Sequence, residues 1–127
     1  MKATIFTAFL FICTQGLQGT EILTVLGTGE AGFSGDGGPA TQAKIRGPFG
    51  VVRGPDGCFY VCDTYNHCMR KIDANGVVTT VAGKGGEKGY AGDGGLATEA
   101  LLNEPYEVRF DQLGDMYFVE MMNHVIR

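Results

Sequence analysis

The stretch GFSGDGGPATQA, Gly32 to Ala43, returns as GYAGDGGLATEA at Gly89 to Ala100, 57 residues further on. Sliding the chain by that spacing lays Gly32–Arg70 over Gly89–Arg127, and 15 of the 39 aligned positions are identical. They include both GDGG runs, the A-T-x-A after each, Pro48 with Pro105, Val51 with Val108, and Tyr60 with Tyr117. The pairs Asn66-His67 and Asn123-His124 match as well, and Arg70 with Arg127 closes the alignment. Upstream, TVLGTG at Thr24–Gly29 answers TVAGKG at Thr80–Gly85 at a spacing of 56. A fixed period of this length means that one supersecondary unit is built more than once.

The unit reads as four strands. FGVV, CFYVCD, HCMRKID and VVTTVAG are short runs rich in Val, Tyr, Phe, Ile and Thr, each bounded by Gly, Pro, Asn or Asp. GPDG (Gly54–Gly57) and DANG (Asp73–Gly76) are tight-turn signals of the kind that joins neighbouring antiparallel strands. PATQAKI and LATEALL have room for one or two helical turns, with Pro39 suited to a first helical position. A four-stranded meander cannot bury both faces alone, so several must stack around an axis. The expected fold is all-β: four-stranded antiparallel blades of a β-propeller.

The period also sets the domain limits. EILTVLG corresponds to the last strand of a repeat, so 20–47 reads as a trailing strand and a GDGG connector. Residues 48–83 read as a complete blade, and 84–127 as a second connector with a partial blade. Propellers close with about four to eight blades. About two blades of a probable six are therefore expected here, with the rest beyond Arg127. A fragment with open strand edges and a bare apolar face is expected to aggregate, or to assemble with further copies, when residues 20–127 stand alone.

Residues 1–19 read as a secretory signal: Lys2, then the apolar run ATIFTAFLFI, then Gly16 and Gly19, each suited to cleavage. The run is shorter than the roughly 20 apolar residues of a stable membrane span. The expected location is secreted or periplasmic. Without the signal, 14 acids face 9 bases, which argues against nucleic acid as a partner. Cys58, Cys62 and Cys68 remain, an odd number for an exported chain. Cys62 and Cys68 flank a turn centred on Tyr65 and could lie opposite one another. A bridge between them, buried free thiols, or pairing elsewhere all stay open.

YVCDTYNHCMRKID followed by GVVTTVAGKG resembles the NHL repeat, named for its Asn-His-Leu signature, in the subtype where a GDGG connector leads into each blade. The likeness covers nearly everything after the signal. It departs at Glu120-Met121, where the first copy has Asp63-Thr64, and at Cys68 and Val125, where the signature has Leu. The resemblance implies an NHL-type β-propeller, often six-bladed. Its members are mostly interaction scaffolds, and related propellers include lactonases and lyases.

The chemistry-bearing motifs are sparse. GTGEAG (Gly27–Gly32) fits a dinucleotide fingerprint but runs into FSGDGGP, which cannot open a long helix. Asp36 and Asp93 are lone carboxylates among glycines, too few for calcium. They read instead as turn residues bonding their own backbone. His67 and His124, with Asp63 and Glu120 four residues before them, need not converge on one metal. They read as turns in which Asp63, Asn66 and His67 satisfy local backbone while Arg70 pairs with an acid. Ser34, the sole serine, has no partnered base, so no catalytic set, metal site or cofactor is expected.

Topology gives one positive expectation. In a meander the connector into a blade and the turn between its second and third strands lie at the same end. The candidate binding face therefore carries Phe33, Asp36, Asp63, Tyr65, Asn66 and His67 from one repeat and Tyr90, Asp93, Asn123 and His124 from the next, with Met121 and Met122 as further apolar contacts. The expected partner is a protein or a small ligand on this loop-rich face. The function expected is an exported binding scaffold, the alternative a lactonase- or lyase-type enzyme whose catalytic residues lie mostly further along.

Overall fold

The computed structural model describes residues 19–127, so the signal sequence read at 1–19 lies almost wholly outside the described residues. Among the described residues, seven strands form two antiparallel sheets. The first is a meander of β1 (Pro48–Arg53), β2 (Phe59–Asp63), β3 (Cys68–Ile72) and β4 (Val78–Ala82). The second repeats it with β5 (Pro105–Phe110), β6 (Met116–Glu120) and β7 (Val125–Ile126). These are the expected propeller blades, and the fold is all-β with three single 3-10 turns.

The expected turns close as read. The Gly57 N–H donates to the Gly54 carbonyl at 2.9 Å, and the Gly76 N–H to the Asp73 carbonyl at 3.0 Å. Both glycines have positive φ, +79° and +75°, a conformation that costs a residue with a Cβ. PATQAKI and LATEALL each give one 3-10 turn, Ala40–Gln42 and Ala97–Glu99; Pro39 stands just before its turn rather than at the first position.

Alternation along the strands supplies two apolar layers. Cys62 and Met69 point to one face of the first blade and join Ala82, Ala100, Leu102, Val108 and Phe118 in a core between the blades. Val61, Ile72 and Val78 point the other way and pack with Ala40 and Ala43, with Leu26 and Phe59 against them. The first strands of the two blades lie close together at Gly50. A Cβ there would come within 2.8 Å of the Tyr106 carbonyl and 3.0 Å of the Glu107 Cα. That contact places β1 and β5 on the inner side of the blades.

Two expectations change. Cys62 and Cys68 are not opposite each other: Cys62 pairs with Met69 and Cys68 with Asp63. Four residues intervene between Asp63 and Cys68, so the two thiols fall one register step apart and on opposite faces of the sheet. Cys58, Cys62 and Cys68 are all free thiols, and burial pushes Cys62 and Cys68 up to about 12. The second change is EILTVLG, which forms no strand. A strand exists only with a hydrogen-bonded neighbour, and no described sheet offers one at this place.

Candidate functional site

The end of β2 carries Asp63, fully buried. Its Oδ1 accepts the Arg46 backbone N–H at 2.7 Å and the Asn66 amide at 2.8 Å. Its Oδ2 accepts Asn66 at 2.9 Å and Arg70 Nη1 at 3.3 Å. Burial pushes the Asp63 carboxyl up, while the Arg46 N–H, Asn66 and Arg70 pull the other way. Arg70 Nη2 then crosses to the connector, donating to the Ser34 carbonyl at 3.0 Å and to Asp36 Oδ1 at 2.9 Å. Asn66 reaches the same connector through the Gly32 carbonyl at 2.7 Å. Phe33 covers the guanidinium, 4.9 Å from ring centroid to Cζ. The connector is thus pinned to the blade by one arginine held between two carboxylates.

Asp36 corrects the sequence reading. It does not bond its own backbone; Arg70 takes Oδ1, and the Thr80 hydroxyl donates to Oδ2 at 2.7 Å. The side chains of Asp63, Asn66 and His67 do not serve the local backbone either: their backbone partners are Arg46, Gly32 and Glu104, 17, 34 and 37 residues away, because the turn packs against the connectors; Arg70 pairs with an acid as expected.

The second repeat rebuilds this latch. Glu120 accepts the Asn103 N–H at 2.8 Å, Asn123 at 2.6 Å and Arg127 Nη1 at 3.1 Å. Asn123 donates to the Gly89 carbonyl at 2.8 Å, and Arg127 Nη2 meets Asp93 at 2.8 Å and the Ala91 carbonyl at 3.1 Å. Tyr90 takes the place of Phe33, 5.8 Å above the Arg127 guanidinium.

His67 joins the blades. It holds the left-handed conformation that ends the turn, φ +54°, and its Nδ1 accepts the Glu104 N–H at 3.2 Å. Desolvation lowers its pKa, favouring the neutral ring that can accept this bond. Beside it the buried Thr64 hydroxyl donates to the Pro105 carbonyl at 2.6 Å. His124 has the same φ, +57°, and is exposed.

The connectors and the β2–β3 turn do share one end of the molecule, as topology required. Asp63 and Asn66 are buried within it; Phe33, Tyr65, Tyr90, Met121, Met122 and His124 are exposed. Sequence reasoning passed over two more rings there. Phe49 and Tyr106, each the second residue of an inner strand, lie 4.6 Å apart between centroids, and Phe49 meets Tyr65 edge-on at 6.3 Å. The signal was present: an aromatic follows each of the matched prolines Pro48 and Pro105. The carboxylates of the latch are occupied by cationic and backbone donors, which suits holding the chain rather than moving protons. Among the described residues no three His, Cys, Asp or Glu side chains gather as metal ligands, and no helix is long and apolar enough to cross a membrane.

No protein-family model matches the chain. Among curated proteins it is 32% identical over 102 residues to Protein SUPPRESSOR OF QUENCHING 1, chloroplastic, of Arabidopsis thaliana, covering 79% of this chain and 10% of that one. It is 31% identical over 97 residues to Teneurin-1 of Gallus gallus, covering 73% of this chain and 4% of that one. The chain thus spans a tenth or less of these relatives. Among solved structures, an auxiliary nutrient binding protein from Bacteroides thetaiotaomicron superimposes with a TM-score of 0.63 and 30% identity, over 80% of this chain and 26% of its own. A second, from Bacteroides ovatus, gives a TM-score of 0.60 and 29% identity, over 75% and 25%. A Bacteroides thetaiotaomicron protein of unknown function gives 0.64 and 31%, over 69% and 22%. Two repeated blades, a repeated latch and these likenesses place the chain among the propeller-repeat proteins.

Proposed function

We propose that this chain is part of an exported NHL-type propeller of the GDGG-connector kind that works as a binding scaffold, its ligand docking on the connector face. The observation that carries the reading is the ring cluster of Phe49, Tyr65 and Tyr106, exposed at the open end of the inner strands while the carboxylates of the latch beside it are engaged by cationic and backbone donors. Such a surface offers stacking area with little side-chain entropy to lose. Two structural neighbours are nutrient binding proteins, which supports a binding role. The ligand is a small molecule or peptide that can lay a flat face on these rings.

The chain has no tryptophan, and two of its five tyrosines, Tyr65 and Tyr106, stand in this cluster, so a ligand there should change part of the tyrosine emission. Titrating soluble oligosaccharides and peptides should find a ligand that shifts the emission. Phe49→Ala and Tyr106→Ala should each weaken it about tenfold, the effect of losing one stacking contact of about 1.4 kcal/mol. Unchanged affinity in both variants would end the proposal for this face.

A further inference from the structure

Tyr65 and Tyr106 come from different blades, and two hydrogen bonds between their chain neighbours tie them together. The Thr64 hydroxyl donates to the Pro105 carbonyl at 2.6 Å, and the Glu104 N–H donates to His67 Nδ1 at 3.2 Å. On the first blade these partners bracket Tyr65; on the second they lead straight into Tyr106. Tyr65 is itself fixed to the first blade. Its N–H donates to the Arg46 carbonyl at 3.1 Å, and its ring lies so close on Gly47 that a Cβ has no room there. Tyr106 completes the cluster by stacking on Phe49, 4.6 Å between centroids.

One of these two ties titrates. To accept the Glu104 N–H, the neutral His67 ring carries its proton at Nε2. A second proton at Nδ1 turns the acceptor into a donor aimed at a donor, so this bond does not survive protonation. The hydroxyl tie has no such dependence. The backbone at the titrating tie is strained as well: Glu104 has φ +54° where the repeat has Gly47 at +57°. A side chain keeps that conformation when its surroundings impose it. Here His67 holds the Glu104 N–H, and the Met121 N–H holds its carbonyl at 3.1 Å. The charged groups facing the His67 ring are Glu104 itself, Lys88 on the second connector and Arg46 on the first. On its own turn, Asp63 and Arg70 are paired with each other at 3.3 Å. An imidazolium at this place therefore meets more positive than negative charge.

We propose that His67 is the positioning residue of the ring cluster and makes it a proton-controlled platform: neutral His67 holds Tyr106 against Phe49, and protonation frees the Glu104–Tyr106 segment and takes the cluster apart. This rests on the reading that the ligand docks on the rings, and adds that a ligand held at neutral pH is released on acidification. Histidine is the side chain whose ordinary charge change falls in that range. The ties also decide which ring moves. Phe49 and Tyr65 both belong to the first blade, so their edge contact at 6.3 Å stays, whereas the Phe49–Tyr106 stack crosses the broken tie.

Ring-to-ring nuclear Overhauser contacts in the full chain, followed from about pH 7.5 to about 5 beside the His67 ring resonances, test this without a ligand. The Phe49–Tyr106 contact should fall severalfold at the midpoint of the His67 titration, while Phe49–Tyr65 persists. His67→Asn puts an oxygen acceptor where Nδ1 stands, tolerates the left-handed backbone and does not titrate, so its Phe49–Tyr106 contact should last to about pH 5. Glu104→Gln keeps the N–H and removes the facing acid, so the His67 midpoint and the loss of ring contact should move to lower pH together. A Phe49–Tyr106 contact indifferent to the His67 titration, an equal loss in His67→Asn, midpoints that separate in Glu104→Gln, or loss of Phe49–Tyr65 at the same pH would overturn the proposal. The docking reading has its own readout, the affinity of Phe49→Ala at fixed pH, so either can fail alone.

Discussion

The latches of the two blades use the same hydrogen bonds with different surroundings. Asp63 in the first and Glu120 in the second differ by a methylene, yet each accepts one backbone N–H, one asparagine and one arginine. What changes is cover. The Arg70 side chain is wholly buried and Arg127 is 13% exposed; Asp36 also receives Thr80 from β4, whereas Asp93 meets Arg127 alone. Local residues thus build the latch, and the adjoining strand decides how dry it is. Since a desolvated charge loses more when its partner goes, the first latch should matter more to stability.

Replacing Arg70 tests that difference at its largest. Arg70→Ala leaves the buried Asp63 without its cation and should cost about 3–5 kcal/mol in urea unfolding. Arg127→Ala also strips the cation from a buried acid, Glu120, but the arginine is partly wetted, so it should cost clearly less by the same measurement. Equal losses would mean that cover is irrelevant. The apolar layers give the next contrast: Leu102→Ala should cost about 2–5 kcal/mol, being fully buried between the blades. Its counterpart Ile45, only partly covered, should lose clearly less by the same measurement. A finer change exchanges the latch acids. Asp63→Glu forces a methylene into the closed site and should cost about 1–3 kcal/mol, read as a lowered urea midpoint.

The smallest effect is that of pH on His67. Its folded pKa lies below the ordinary value because burial disfavours the charged ring, so the unfolded chain binds the proton more readily. The contribution of the neutral ring is therefore complete above about pH 6.5 and is lost as pH falls through the lower folded value. His67→Asn, which tolerates the left-handed backbone, should flatten the fall in urea midpoint between about pH 7 and 5. An unchanged slope would detach His67 from the Glu104 N–H.

The fold was legible because the repeat is exact enough to align and each strand is bounded by turn residues whose chemistry is local. GPDG and DANG closed as read for that reason. Features fixed by distant partners were harder. Asp36 looked like a self-bonding turn residue, since nothing near it announces an arginine 34 positions away. The cysteine register depended on whether an odd or even number of residues filled the turn, which the 3-10 turn Thr64–Asn66 and the left-handed His67 settle. EILTVLG has strand-like composition, but a strand also needs an edge to join. At the candidate site the connector face was read correctly from topology. Phe49 and Tyr106 were missed, because their pairing across the blades is a tertiary fact, although both rings stood in the repeat.

The most direct test of the latch is native-state hydrogen exchange at the Arg46 and Asn103 amides, which donate to Asp63 and Glu120 at 2.7 and 2.8 Å. Both should be protected although they lie in connectors rather than strands, Arg46 more strongly, and Arg70→Ala should abolish protection at Arg46 alone. Exchange at both amides as fast as in an open loop would contradict the claim that an arginine held between two acids pins each connector to its blade.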